Sequence, residues 1–423
     1  MHMTRDYKPS NLLVYVPAGI LMLLPPILGF VYISFNIIYA GGLRSVVYDL
    51  SWLSFAFIFV AISNFSKVSL AEVGKGLPRS YLAIFLVFTI VWIYTTTIVA
   101  ENPIMAYYTS GRGFIAILVG LAAAALKQAY GKKFATSIEW ALFAGVIFHA
   151  PFLIWVYVLE GQNPDFEWLL SLPAYPGLRL YNHAIEAGVA AGLGLYFLTE
   201  RQSTQRRAAI MIGTTLLWML LFWGGARGTL IALFASFILL GFIIPQFTSR
   251  MWKFFLSTMI IGASLSLFLP APHDAYGLFK RIQTTVESET LSVASTGRME
   301  MWADAITIFL ERPFFGHGLV QYQHLTNILN PDTREHVHNI LLESLISFGI
   351  VGTTALIYLI GKILIASALE LRAGKTDSDL PMFLISITLL THGFVSGTYF
   401  HMHSMLTIAI ALGLLLHTLV KSP

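Results

Sequence analysis

The chain has 423 residues, 56% of them hydrophobic and only 11% charged, with a formal net charge of +4 and no cysteine. An ordinary soluble domain carries roughly 25% charged residues, so a soluble globular fold is excluded. Without thiols there can be no disulfide, thiolate nucleophile or Cys-ligated metal. The alternating segments of about 10 residues that mark a membrane β-barrel are absent. An all-α polytopic membrane protein remains.

Arg5 and Lys8 precede a first apolar run at 11–39. That run is too long and too Pro-rich for a cleaved signal peptide and reads as a first span. Pro25-Pro26 can kink it, or break it into a hairpin of two short helices. Apolar segments follow at 49–63, 81–99, 111–127, 137–159, 181–199, 208–223, 227–245, 253–270, 340–368, 380–396 and 403–420. A crossing helix needs about 20 residues, so the expectation is about twelve spans.

Loop charge sets the orientation. If 11–39 crosses once from the cytoplasm, one side collects Lys67, Lys75 and Arg79; Lys127, Lys132 and Lys133; Arg201, Arg206 and Arg207; Arg250 and Lys253; Arg372 and Lys375; and Lys421. Such short basic loops are cytoplasmic by the positive-inside rule, whereas a hairpin at Pro25-Pro26 would invert them all. Both termini are therefore expected in the cytoplasm. The long polar segment 271–339 is expected outside, as a cap loop within a single membrane domain spanning 1–423. No internal repeat or low-complexity linker is evident.

In the cap, Ser295 or Thr296 can N-cap a helix through Met299, Trp302, Ala305, Ile306 and Phe309. Arg312-Pro313 ends it, Gly316 and Gly318 permit tight turns, and Asn330-Pro331-Asp332 marks another turn. His338 stands just before Ile340-Leu341-Leu342, where the chain re-enters the membrane.

Three residues carry the expected chemistry. Arg227 lies in Trp223-Gly224-Gly225-Ala226-Arg227-Gly228 between two apolar spans. An ionisable group there is a functional candidate, against the alternative of snorkelling to headgroups. Arg298 opens the cap helix, where a cation opposes the helix dipole and needs a compensating partner: an anionic ligand, or a neighbour such as Glu300 or Asp304. The guanidinium fork suits a diphosphate because it stays charged and bonds in pairs. His338 can take a proton from a hydroxyl, or merely cap the following helix.

His336 is expected to face away from His338, and the pair lacks an evident third ligand, so no metal is expected. Arg179, His183, Glu186, His401 and His403 are candidate pocket-lining residues, with His183 and Glu186 alternatively serving as polar glue between helices. His149, His392 and His417 read as packed or hydrogen-bonded.

The pattern Gly297-Arg298, Met301-Trp302, Ala305, Phe309, Pro313, Gly316-His317-Gly318, His338-Asn339, Leu341-Leu342, Gly349-Ile350 and Gly352 resembles the O-antigen ligase and polymerase superfamily of Gram-negative bacteria, over about 297–352. The resemblance implies a GT-C-type, metal-independent glycosyltransferase of lipopolysaccharide biosynthesis, without cofactor. It would move O-antigen from undecaprenyl diphosphate to the lipid A–core oligosaccharide at the periplasmic face of the inner membrane. It also implies that His338 is the base and that Arg227 and Arg298 hold the diphosphate. The partners implied are that donor, that acceptor and membrane lipids, with no nucleic acid. A polymerase shares the same loop block and stays open as an alternative. A transporter for the same lipid is the rival from another class, although transporters usually show internal repeats and midplane charges.

Overall fold

The computed structural model describes residues 12–65, 68–198, 203–244, 248–273, 276–287, 295, 297–326, 336–374 and 379–420. The expected turn at 330–332 and Thr296 lie outside these. Among the described residues the elements are helical, apart from an isolated bridge between Leu172 and Tyr175.

The helices are α1 (Leu12–Ser34), α2 (Gly41–Asn64), α3 (Leu70–Gly76), α4 (Arg79–Tyr94), α5 (Pro103–Tyr130), α6 (Lys132–Glu160), α7 (Leu178–Leu198), α8 (Thr204–Trp223), α9 (Arg227–Ile243), α10 (Thr248–Ser266), α11 (Leu278–Val286), α12 (Arg298–Glu311), α13 (Tyr322–Leu325), α14 (Ile340–Arg372), α15 (Leu380–His392) and α16 (Met402–Leu415). α1 keeps Pro17, Pro25 and Pro26 inside one helix, so the proline pair does not break it into a hairpin.

Each of the twelve expected segments falls on a helix. Eight of these are long and apolar enough to cross a membrane: those of α1, α2, α4 with the turn after it, α5, α6, α8, α14 and α16. α9 and α15 are apolar but shorter. α7 and α10 have the length but are more polar. For α7 the reason is its position. It is buried on nearly every side, packed against α6, α8 and α15, so Asn182, His183 and Glu186 meet protein rather than lipid.

A second, smaller core joins the cap to the bundle. Met301, Ala305 and Ile308 of α12 pack with Tyr322, Val337 and Ile346. The α14 backbone accommodates this at Gly349, whose φ of 61° interrupts the helix. The break lets Ile350 N donate to Pro313 O (2.8 Å), while His317 N donates to Ile346 O (2.7 Å). Any side chain at Gly349 would collide with the Phe314 carbonyl, 2.3 Å from its Cβ position. The turns foreseen at Gly316 and Gly318 are present, with φ of 76° and 99°. The N-cap residue of the cap helix is Gly297 at φ 76°, and the Ser295 hydroxyl, one of the two expected caps, accepts from Met299 N in the first turn (3.4 Å).

Candidate active site

His338 is held by its neighbours on both sides. Asn339 caps α14, its side chain accepting from Leu341 N (3.0 Å) and Leu342 N (3.1 Å). Glu343, one turn in, reaches back to accept from Val337 N (3.1 Å). The Val337 carbonyl accepts from Trp302 Nε1 of the cap helix (3.2 Å), and Ile340 N donates to Gly393 O (2.7 Å). The segment 336–340 is thus clamped between the cap helix, α14 and the turn after α15.

Within that clamp His338 takes φ 56°. This left-handed turn folds the two histidines together, with ring centroids 4.1 Å apart. The expectation that His336 faces away is therefore corrected, since backbone handedness and not spacing decides it. His336 is buried and stacks on Phe400 (4.8 Å, 17°). A side chain at Gly397 would strike it, with His336 Nε2 only 2.1 Å from the Cβ position. Arg112 in turn steadies Phe400, donating to its carbonyl (2.9 Å) while lying over its ring.

The arginines converge from three directions. Arg179, in the first turn of α7, points Nη1 at His338 Nε2 (3.4 Å). Arg227 begins α9 just after the turn at Gly225 (φ 70°), and its guanidinium bonds the Thr285 hydroxyl of α11. α11 is anchored beside that turn by Gly277 N donating to Trp223 O (2.7 Å). Arg298 opens α12, and α11 adds a fourth arginine, Arg281. Burial and then the nearby charges of Arg179, Arg227 and Arg281 push Arg298 down to about 10. Among the described residues none of the four arginines forms an ion pair with a carboxylate. The Nε of Arg281 is buried without a partner. Asp304, a suggested partner for Arg298, instead accepts from Thr326 (2.6 Å).

The same field acts on the imidazoles. Burial, then Arg179 and Arg298, lowers His336 to about 3. Burial, then His336, Arg179 and Arg298, holds His338 far below the ordinary histidine range. His338 is thus neutral at neutral pH, as a base must be. With Nε2 facing the Arg179 donor, the proton belongs on Nδ1 and the lone pair on Nε2. An uncompensated cluster of four cations, two of which act on a neutral imidazole, has the chemistry to bind an anion beside a group able to accept a hydroxyl proton.

The remaining candidates divide. Arg179 belongs to the site. His401 lies between site and interior, its ring 5.9 Å from His336 and 5.8 Å from His183. His183 is buried between the hydroxyls of Ser404 (3.1 Å) and Ser396 (3.0 Å). Glu186 is bound by His392 Nδ1 (2.5 Å). Both act as polar glue joining α7 to α15, α16 and the turn between them. His403 packs on Trp52 (4.6 Å) and does not line the site, because its place on α16 turns it inward. His149 bonds the Pro173 carbonyl (2.6 Å).

Arg281 escaped the sequence reading. Its signal is Lys280-Arg281 on the side expected to be outside, against the positive-inside bias. Among the described residues one carboxylate-histidine group, Glu370, Asp379 and His417, has metal-like spacing. It sits at the far end of α15 from His392, and Lys127 Nζ lies 2.5 Å from Asp379 Oδ1, so a cation already fills it.

The fold defines the class: an all-α multi-pass membrane protein with an arginine–histidine site at one end of its bundle. Residues 212–357, roughly a third of the chain, match the family model described as O-antigen ligase. His338, Arg227, Arg281 and Arg298 fall inside that match; Arg179 lies outside it. Among curated proteins, none matches the chain.

Proposed function

We propose that the protein is a GT-C-type glycosyltransferase that moves O-antigen from undecaprenyl diphosphate to the lipid A–core oligosaccharide. It works without a metal, inverts the anomeric centre, and acts at the periplasmic face of the bacterial inner membrane with both termini in the cytoplasm. The observation that carries this reading is the cluster of Arg179, Arg227, Arg281 and Arg298, unpaired with carboxylates, of which Arg179 and Arg298 act on the neutral His338.

The diphosphate sits among the guanidiniums, which neutralise it and the charge that grows as it leaves. Its arrival draws Arg179 away from His338 and frees Nε2. An acceptor hydroxyl passes its proton to Nε2 as its oxygen bonds the anomeric carbon. The bond from that carbon to the phosphate oxygen breaks, and its electron pair departs with undecaprenyl diphosphate. The proton then leaves His338 for water. A single displacement without an enzyme nucleophile inverts the centre.

The test is reconstitution of the purified protein with lipid-linked donor and lipid A–core acceptor. Polysaccharide on the acceptor is expected. Lengthening of the lipid-linked chain instead means a polymerase, and movement of the lipid without bond formation means a transporter.

A further inference from the structure

A groove of about 600 Å³ opens between α1 and α6, at the opposite end of the bundle from His338. Its position follows from α6. The C-terminal end of that helix reaches the active-site end, where Tyr157 meets Trp223 (6.3 Å), four residues before Arg227. Lys132 begins the same helix 29 residues long, about 40 Å away at 1.5 Å per residue.

The groove has two chemistries. Along α1 it is lined by Tyr15, Gly19 and Met22, and along α6 by Trp140; Lys132 and Lys133 stand at its mouth. A Cβ on Gly19 would meet nothing within 4 Å, so the floor is open space. Both lysines are exposed, and among the described residues neither lies within ion-pair distance of a carboxylate, although the buried Glu139 carboxyl acts on Lys132. A mostly apolar trough, with Thr136 and Ser137 next to two exposed cations at its mouth, complements an amphiphile with an anionic head.

Charge separates the possible occupants. Residues 1–11 carry Arg5 and Lys8 against Asp6, a net positive sequence whose charge does not complement two lysines. A second copy docking symmetrically would bring its own lysine pair against this one. A zwitterionic lipid gains little from two cations.

We propose that this groove is a binding site for one anionic phospholipid, its phosphate between Lys132 and Lys133 and an acyl chain along Gly19 and Trp140. Basic pockets between membrane helices recognise anionic headgroups in this way. The site is independent of the transfer chemistry at the other end.

The full-length protein is purified, equilibrated with equimolar phosphatidylglycerol and phosphatidylethanolamine, and analysed by native mass spectrometry. The wild type is expected to retain one phosphatidylglycerol in preference to phosphatidylethanolamine. Lys132→Gln with Lys133→Gln should lower that preference by roughly 20- to 30-fold, about fivefold per lysine. Both side chains are exposed, so this variant keeps its fold. Gly19→Leu, which fills open space, should remove the retained lipid altogether. Equal retention of the two lipids by the wild type overturns the proposal. So does unchanged retention in either variant, or a lipid-free dimer in place of the lipid-bound chain.

Discussion

Two buried clusters at opposite ends of the helix bundle treat positive charge in opposite ways. At the end away from His338, Lys127 is matched within the chain. Its Nζ lies 2.5 Å from Asp379 and 2.7 Å from the Leu414 carbonyl, and His417 Nε2 closes on the other Asp379 oxygen at 3.1 Å. At the His338 end, four arginines crowd together and burial and mutual repulsion press Arg298 down to about 10. A fold pairs a buried charge when the charge serves the fold. The unpaired cluster around Arg298 is the feature on which the proposed anionic donor rests.

The sharpest way to break this contrast is to substitute one member of each end. His338→Ala should lower transfer by about 10²- to 10⁴-fold, the usual contribution of a general base, with the protein still monodisperse and inserted. Retained transfer refutes the base. Asp379→Ala should do the reverse. It strands Lys127 and should cost about 3–5 kcal/mol of stability, read as a lower melting temperature in detergent, with transfer per folded molecule unchanged. Loss of turnover without loss of stability would mean that this end also takes part in the chemistry.

Smaller effects sharpen the comparison. Arg227→Lys keeps the charge but loses the fork, a deficit of about 1.5–3 kcal/mol for hydrogen bonds to a charged group, or roughly 10- to 100-fold in transfer. Near-normal activity argues against paired bonding to phosphate. For pH, the depressed His338 stays neutral in the free site as pH falls through 6.5, so the acid limb of kcat/KM should lie below the value of an ordinary histidine; a limb at 6.5 or above contradicts it. The linked stability has a definite sign. His336, lowered to about 3, binds fewer protons folded than unfolded, so stability should decline as pH drops from about 6.5 toward 3. Last, excess EDTA should leave transfer unchanged, and its loss would reinstate a metal.

Much of this was legible in the sequence because hydrophobic runs of bilayer length leave little choice of structure. Each of the twelve segments coincides with a helix. Arg227, Arg298 and His338 stood out because each breaks a local rule: a cation between apolar spans, a cation against a helix dipole, an imidazole at a membrane boundary. Arg281 broke no helical rule. Its helix, LFKRIQTTV, reads as an ordinary amphipathic surface element, and only the fold brings it beside Arg227. The pairing of His336 with His338 was hidden for another reason: it depends on the sign of one backbone dihedral, which histidine does not advertise as glycine would.

That dihedral has a consequence for evolution and engineering. A left-handed conformation costs an L-residue with a Cβ roughly 1–2 kcal/mol, and His338 bears it at φ 56°. Natural selection for stability alone would place glycine or asparagine there. His338→Gly should therefore yield a protein that melts at a higher temperature than the native one and transfers nothing, a direct trade of robustness against activity at a single position.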